Sequence, residues 1–186
     1  MAIVHSKSIC YKSLKYQKAN KPSIDSILPH FLDGEMLNLA LDFAGQLQSN
    51  KMKLKWASEN RWKAMCAKST ICWVWYHKGL NLSPCFVTIH DYEEFIINEG
   101  WQTFILDRLN FCRPCNTKRQ CVGGRDIVIF DQKLKGVCTQ NIFGSIHQQT
   151  ECGLTLNYKN PNETTVGQIK KLLDMEQNAR DYYNRK

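Results

Sequence analysis

A chain of 186 residues, 43% apolar and 23% charged, is long enough for one well-buried core and short for two, and its composition excludes a disordered chain. No apolar run is long enough to cross a bilayer and the N-terminus lacks the hydrophobic stretch of a secretory signal, so a soluble, cytoplasmic protein is expected. The net charge of +8 is unevenly placed, because Lys7, Lys12, Lys15, Lys18 and Lys21 all precede the first acid, Asp25. Residues 1–22 therefore read as a basic leader, either solvated or attracted to phosphate backbones or an anionic membrane surface. Residues 23–186 read as a single α+β domain.

In chain order, Pro22 to Pro29 is an extended or short helical approach. Asp33 is placed to cap a helix running to about Ser49, with Met36, Leu37, Ala40, Leu41, Ala44 and Leu47 at helical spacing and Asn50 closing it. The pattern then switches to period two. Met52, Leu54 and Trp56 mark one strand, Glu59-Asn60 a turn, and Trp62, Ala64 and Cys66 a second strand. After a turn at Lys68-Ser69, the run from Thr70 to Tyr76 is apolar on both faces and fits a covered central strand. Gly79 and Pro84 mark turns, and a fourth strand is expected over Cys85 to Ile89. The short links favour an antiparallel meander.

Asp91 and Glu94 resemble a capping box for a short helix ended by Gly100, and Trp101 to Leu109 leans towards helix. Arg125 to Phe130 reads as a strand, and Leu154, Leu156 and Tyr158 suggest a last one. The C-terminal helix has Asn160 as its expected cap, Pro161 in its first turn and an apolar stripe through Val166, Ile169, Leu172, Leu173 and Ala179. The expected fold is α+β: an antiparallel sheet of about four to six strands packed by an N-terminal and a C-terminal helix, with a Cys-rich insertion over residues 110–138.

Nine cysteines in a reducing compartment are not to be paired as disulfides, and an odd count leaves one over in any case. Cys112 and Cys115 form a C-x2-C pair, whose tight turn lets two thiolates reach one tetrahedral ion. Cys121 follows before the flexible Gly123-Gly124, and Cys138 follows a strand and a turn at Gly136. Four thiolates around zinc carry about two net negative charges, which Arg113, Lys118, Arg119 and Arg125 would offset. A structural zinc site at Cys112, Cys115, Cys121 and Cys138 is therefore expected. Reduced thiols without metal, an iron-sulfur cluster, a redox dithiol, and His147 or Cys152 as a substitute ligand stay open. Cys10, Cys66, Cys72 and Cys85 are assigned to core or surface.

Trp56, Trp62, Trp73 and Trp75 fall on neighbouring strands. Trp62, Trp73 and Trp75 are the candidate wall of an aromatic pocket for an organic or cationic ligand, unless they simply pack under the helices. No phosphate-binding glycine loop, H-E-x-x-H or G-x-S-x-G occurs, and His30, His77, His90 and His147 are scattered.

The tryptophan-bearing strands WASENRW and CWVWY, the C-x2-C segment, the strand leading to GVC and the helix start NPNETTVGQIKKLLDMEQ resemble a group of uncharacterised proteins of Gram-positive gut bacteria. The resemblance covers about Leu54 to the C-terminus. It implies a bacterial cytosolic protein whose four clustered cysteines act as one unit. The function expected from all this is non-catalytic binding of a small ligand or a protein by a zinc-stabilised domain. The alternative is nucleic-acid binding through the basic leader and the Cys-rich segment.

Overall fold

The apolar spacing after Asp33 folds as a helix, α3, Gly34–Ser49. It is preceded by two short helices, α1 (Leu14–Asn20) and α2 (Ile24–Ile27), and a 3-10 turn over Leu28–His30. Asp33 is the N-cap residue of α3. The buried stripe of α3 is Ala40, Phe43, Ala44 and Leu47, so the covered face turns towards Phe43 and leaves Met36, Leu37 and Leu41 half-buried. The helix ends in a Schellman arrangement: Lys51 N–H donates to the Gln48 carbonyl and Met52 N–H to that of Leu47, each at 2.9 Å. Asn50 is the C-cap, as expected, and the left-handed residue that follows it is Lys51, at φ 61°. Asn50 also ties α3 to the C-terminal helix α6 (Glu163–Asn184), its amide donating to Asp174 and its carbonyl accepting from Gln177 Nε2 at 2.8 Å.

The computed structural model describes residues 13–66, 69–86, 89–108, 127–129, 132–134, 139–142, 145–148 and 154–184. By internal contacts the chain divides into two units, Met1–Pro84 with Tyr158–Gln177, and Cys85–Asn157 with Asn178–Lys186. Among the described residues no helix is long and apolar enough to cross a membrane.

The first unit is built on an antiparallel sheet, and the fold class is α+β. Its strands are β1 (Lys53–Ser58), β2 (Arg61–Cys66), β3 (Ser69–Tyr76), β4 (Leu80–Phe86) and β10 (Tyr158–Lys159), in the spatial order β1-β2-β3-β4-β10. β4 begins earlier than the sequence suggests and contains Pro84. The ladder with β3 ends at Cys72↔Pro84, where a residue without an N–H is tolerated, so this proline marks the end of a ladder and not a turn. On one face of the sheet Trp62, Ala64, Cys72, Val74 and Leu82 are at most 1% exposed. Val74 and Leu82 each contribute roughly 1.5–3 kcal/mol on burial.

Residues 13–22, the described part of the expected leader, are tied to this sheet. Gln17 on α1 is fully buried. Its Nε2 donates to Asn60 Oδ1 at 2.6 Å, while its Oε1 accepts from Asn60 N–H at 2.7 Å and from Trp56 Nε1 at 3.3 Å. Trp62 Nε1 donates to the Pro22 carbonyl at 2.9 Å. Lys15, Lys18 and Lys21 are exposed.

Asn160, expected as the cap of the last helix, has φ 46° and donates its N–H to the Leu80 carbonyl at 2.7 Å. The cap is Asn162, whose Oδ1 accepts from Thr165 N–H at 2.8 Å. Asn160 is committed to the β3–β4 turn, where Gly79 has φ 131° and a Cβ added to it would collide with the Asn160 side chain.

In the second unit the end of β4 pairs with β9 (Leu154–Thr155) through Cys85↔Thr155 and Phe86↔Leu154. Two hairpins follow the chain there, β5 (Ile127–Ile129) with β6 (Gln132–Leu134) and β7 (Thr139–Ile142) with β8 (Ser145–Gln148). A 3-10 turn over Ile89–Tyr92 precedes α4 (Glu93–Asn98), and α5 spans Gln102–Leu106. Asp91 caps neither helix. Its carboxylate accepts a hydrogen bond from Tyr183 Oη at 3.1 Å. Gly100, at φ 69°, ends α4 and lets Trp101 N–H reach the Ile96 carbonyl at 2.9 Å.

Two stability measurements check this account. Gln17→Ala leaves the part-buried donors Asn60 N–H and Trp56 Nε1 without their acceptor and should lower the unfolding free energy by about 1–3 kcal/mol in urea, whereas exposed Lys18→Ala should change it by no more than about 0.5 kcal/mol. Gly79→Ala should cost more than about 1 kcal/mol, because the backbone is left-handed and the added methyl meets Asn160. Part of that loss should return in the Gly79→Ala, Asn160→Gly double variant, which clears the collision.

Candidate functional site

The two faces of the first unit's sheet differ in kind. The register pairs Trp56 with Trp62 and Trp62 with Val74, so Trp62 stands on the face that carries the core. It is 1% exposed, with its indole N–H satisfied by Pro22. Trp73 and Trp75 pair with Lys63 and Arg61 and stand on the opposite face, both half-buried. Of the three tryptophans expected to form one wall, the structure brings together Trp73 and Trp75 and separates Trp62 from them.

A β-bulge makes that separation. Cys66↔Ser69 and Met65↔Thr70 are followed by Ala64↔Cys72, which leaves Ile71 as an extra residue in β3. Without it the count would run Ala64↔Ile71 and Trp62↔Trp73, placing those two indoles on one face. One inserted residue exchanges the faces of everything beyond it. The bulge sends Cys72 and Val74 to the core side and leaves Trp73 and Trp75 with the cations of β2.

The second face is organised in two rows that cross the strands. One row runs Lys55–Lys63–Trp73–Ser83 and the other Arg61–Trp75–Asn81–Lys159. Lys55 and Lys159 are exposed, and Lys63 and Asn81 are half-buried. The five strands contain no Asp or Glu. Lys55 directly opposite Lys63 is a like-charge pair, which destabilises a sheet and is relieved by an anion.

Arg61 ties the rows together. Its guanidinium lies over the Trp73 ring at 4.2 Å from the centroid and over the Trp75 ring at 5.2 Å. Its Nε is buried without a hydrogen-bond partner among the described residues. The rings therefore already hold a cation, and another positive charge would be repelled by Arg61, Lys55 and Lys63. A ligand matched to this face is negatively charged and has a flat ring able to stack.

Sequence reasoning missed Arg61, Lys55, Lys63 and Lys159. The alternation Lys53-x-Lys55 and Arg61-x-Lys63 was visible, but its alignment with Trp73-x-Trp75 depends on where the bulge falls. A groove of about 620 Å³ elsewhere in this unit is lined by Glu35, Met36, Leu39, Asp42, Pro161 and Glu163, among others. Its lining is largely acidic and apolar, and Asp42 is already paired with Lys170.

The expected metal ligands Cys112, Cys115, Cys121 and Cys138 lie outside the described residues, as do Cys10 and Cys152. Among the described residues no group of three or more His, Cys, Asp or Glu side chains gathers as a metal site. Cys66 and Cys72 are buried and Cys85 is half-buried, in keeping with their assignment to core or surface. No family model, no curated protein and no solved structure matches the chain.

Proposed function

We propose that this protein is a cytoplasmic, non-catalytic binding domain whose ligand is an anion bearing a planar ring, held on the Arg61–Trp73–Trp75 face of the sheet. The observation that carries the reading is the pairing of two half-buried indoles with Arg61, Lys63 and Lys55 on strands that contain no carboxylate. Lysine and arginine supply charge and donors, and the indoles and the guanidinium plane supply stacking surface. Nothing among the described side chains of this face offers a nucleophile beside a base, so the face suits holding a ligand and not transforming it.

The probe for this reading is a nucleoside monophosphate, the simplest molecule combining a ring with a phosphate. AMP should quench tryptophan fluorescence with a dissociation constant in roughly the millimolar range at low salt, the scale supported by one stacked ring and one phosphate. Adenosine and inorganic phosphate should each bind far more weakly. Arg61→Ala should weaken AMP about tenfold or more, since it removes both a charge and a stacking plane. Equal quenching by adenosine, or undiminished binding by the variant, would overturn the reading.

Zinc at Cys112, Cys115, Cys121 and Cys138 forms the second part of the proposal and rests on their spacing in a short basic segment. Elemental analysis of the purified chain should find zinc in stoichiometric amount. The Cys112→Ser, Cys115→Ser double variant should lose the metal and melt at a lower temperature. Metal-free protein with all nine thiols titrating as reduced cysteine would sink it.

A further inference from the structure

The binding face repeats its own pattern. Trp73 and Trp75 are two residues apart on β3 and so follow one another on one face at a step of about 6.7 Å. Each lies in a row with cations: Trp73 beside Lys63 and Lys55, and Trp75 between Arg61 on one side and Asn81 and Lys159 on the other. A single nucleotide would use one ring and one or two of these charges. It would leave the other row's indole unstacked and its lysines unneutralised.

A repeated unit of ring plus cation is matched by a polymer in which ring and phosphate also repeat. From β1 to β10 the rows cross four strand intervals, about 19 Å, which is wide enough for several units of such a chain. Duplex nucleic acid does not fit the rings, because its bases are stacked on one another and present only their edges. Unpaired bases offer their faces to tryptophan and to an arginine plane, and their phosphates remain free for lysine.

From this geometry we infer that the occupant of the face is single-stranded nucleic acid, with successive bases stacking at the Trp73–Arg61–Trp75 cluster and phosphates reaching Lys55, Lys63 and Lys159. The inference rests on the anion-and-ring reading given above and names its substrate class. It needs no contribution from residues 1–12, so the full chain and a form beginning at Ser13 should behave alike. A cut at residue 21 would remove Gln17 and unsettle the sheet.

The test is a fluorescence titration of the full chain with thymidine monophosphate, oligothymidylates of increasing length, and a duplex of the longest. Affinity should rise at least about tenfold from the mononucleotide to a short oligomer, as a second stacked base is worth. The logarithm of the association constant should fall with the logarithm of salt at roughly −2, about −0.7 for each of three neutralised phosphates. The duplex should bind more weakly than the single strand.

Lys159→Glu alters an exposed position at the β10 margin of the rows and should leave the circular dichroism spectrum unchanged. It should weaken the oligomer about tenfold or more while changing mononucleotide binding much less. Equal affinity for mononucleotide and oligomer would overturn this inference and leave the anion-and-ring reading intact, whereas no binding of either would remove both. A duplex held as tightly as the single strand, or an oligomer indifferent to the charge reversal, would also overturn it.

Discussion

The register between β2 and β3, and the bulge at Ile71 that offsets it, is the constraint from which the rest of the first unit follows. Hydrogen bonding alone would accept either register, since a slip of one residue still satisfies most of the ladder. What distinguishes them is which side chains go into the core. With the bulge, Trp62, Ala64, Cys72 and Val74 share the buried face. The alternative would turn Cys72 and Val74 towards Arg61 and Lys63. The smaller Cys72 and Val74 fit beside Trp62 in a close-packed core where the other register would have to accommodate two further indoles, and avoiding that overpacking offsets the local disruption of one bulge.

That choice is supported from outside the sheet. Gln17 joins α1 to the β1–β2 turn through Asn60 and to β1 through Trp56, and Pro22 holds the Trp62 indole N–H. At the other end of the sheet, Asn160 packs against Gly79 and bonds to Leu80, which joins β10 to the β3–β4 turn. The first anchor uses a buried polar side chain with its hydrogen bonds made, the condition under which burying it is not costly, and the second uses the backbone N–H of Asn160. The consequence for function is a sheet whose second face has a fixed order of cations and rings.

A face of this composition carries an electrostatic cost. Lys55 and Lys63 repel across the β1–β2 pair, and Arg61 holds a buried Nε with no acceptor among the described residues. Structures that carry such costs commonly do so at sites of function. The aromatic cluster accordingly presents a cation of its own, the Arg61 guanidinium. The basic character of the chain, which the sequence places first in its leader, thus has a second location on the sheet.

Periodicity alone determined the two long helices and strands β1 to β3. The stripe from Ala40 to Leu47, the alternation through Leu54, Trp62 and Ala64, and the stripe of the last helix each report a local preference that the structure retains, and with short links they imply an antiparallel α+β fold. The spacing of Cys112, Cys115, Cys121 and Cys138 likewise carries the zinc proposal, on residues outside those described. Ends were less legible: Pro84 lies inside β4, and Asn162 and not Asn160 caps the last helix, because each depends on a partner strand or turn. The candidate site was half legible. Trp73 and Trp75 stood out, but their grouping with Trp62 failed and Arg61 went unnoticed. A run such as TICWVWY is apolar at every position, so nothing within it marks which residue is extra. Only the competition between the helices' core and the solvent for its two faces placed the bulge, and with it the site.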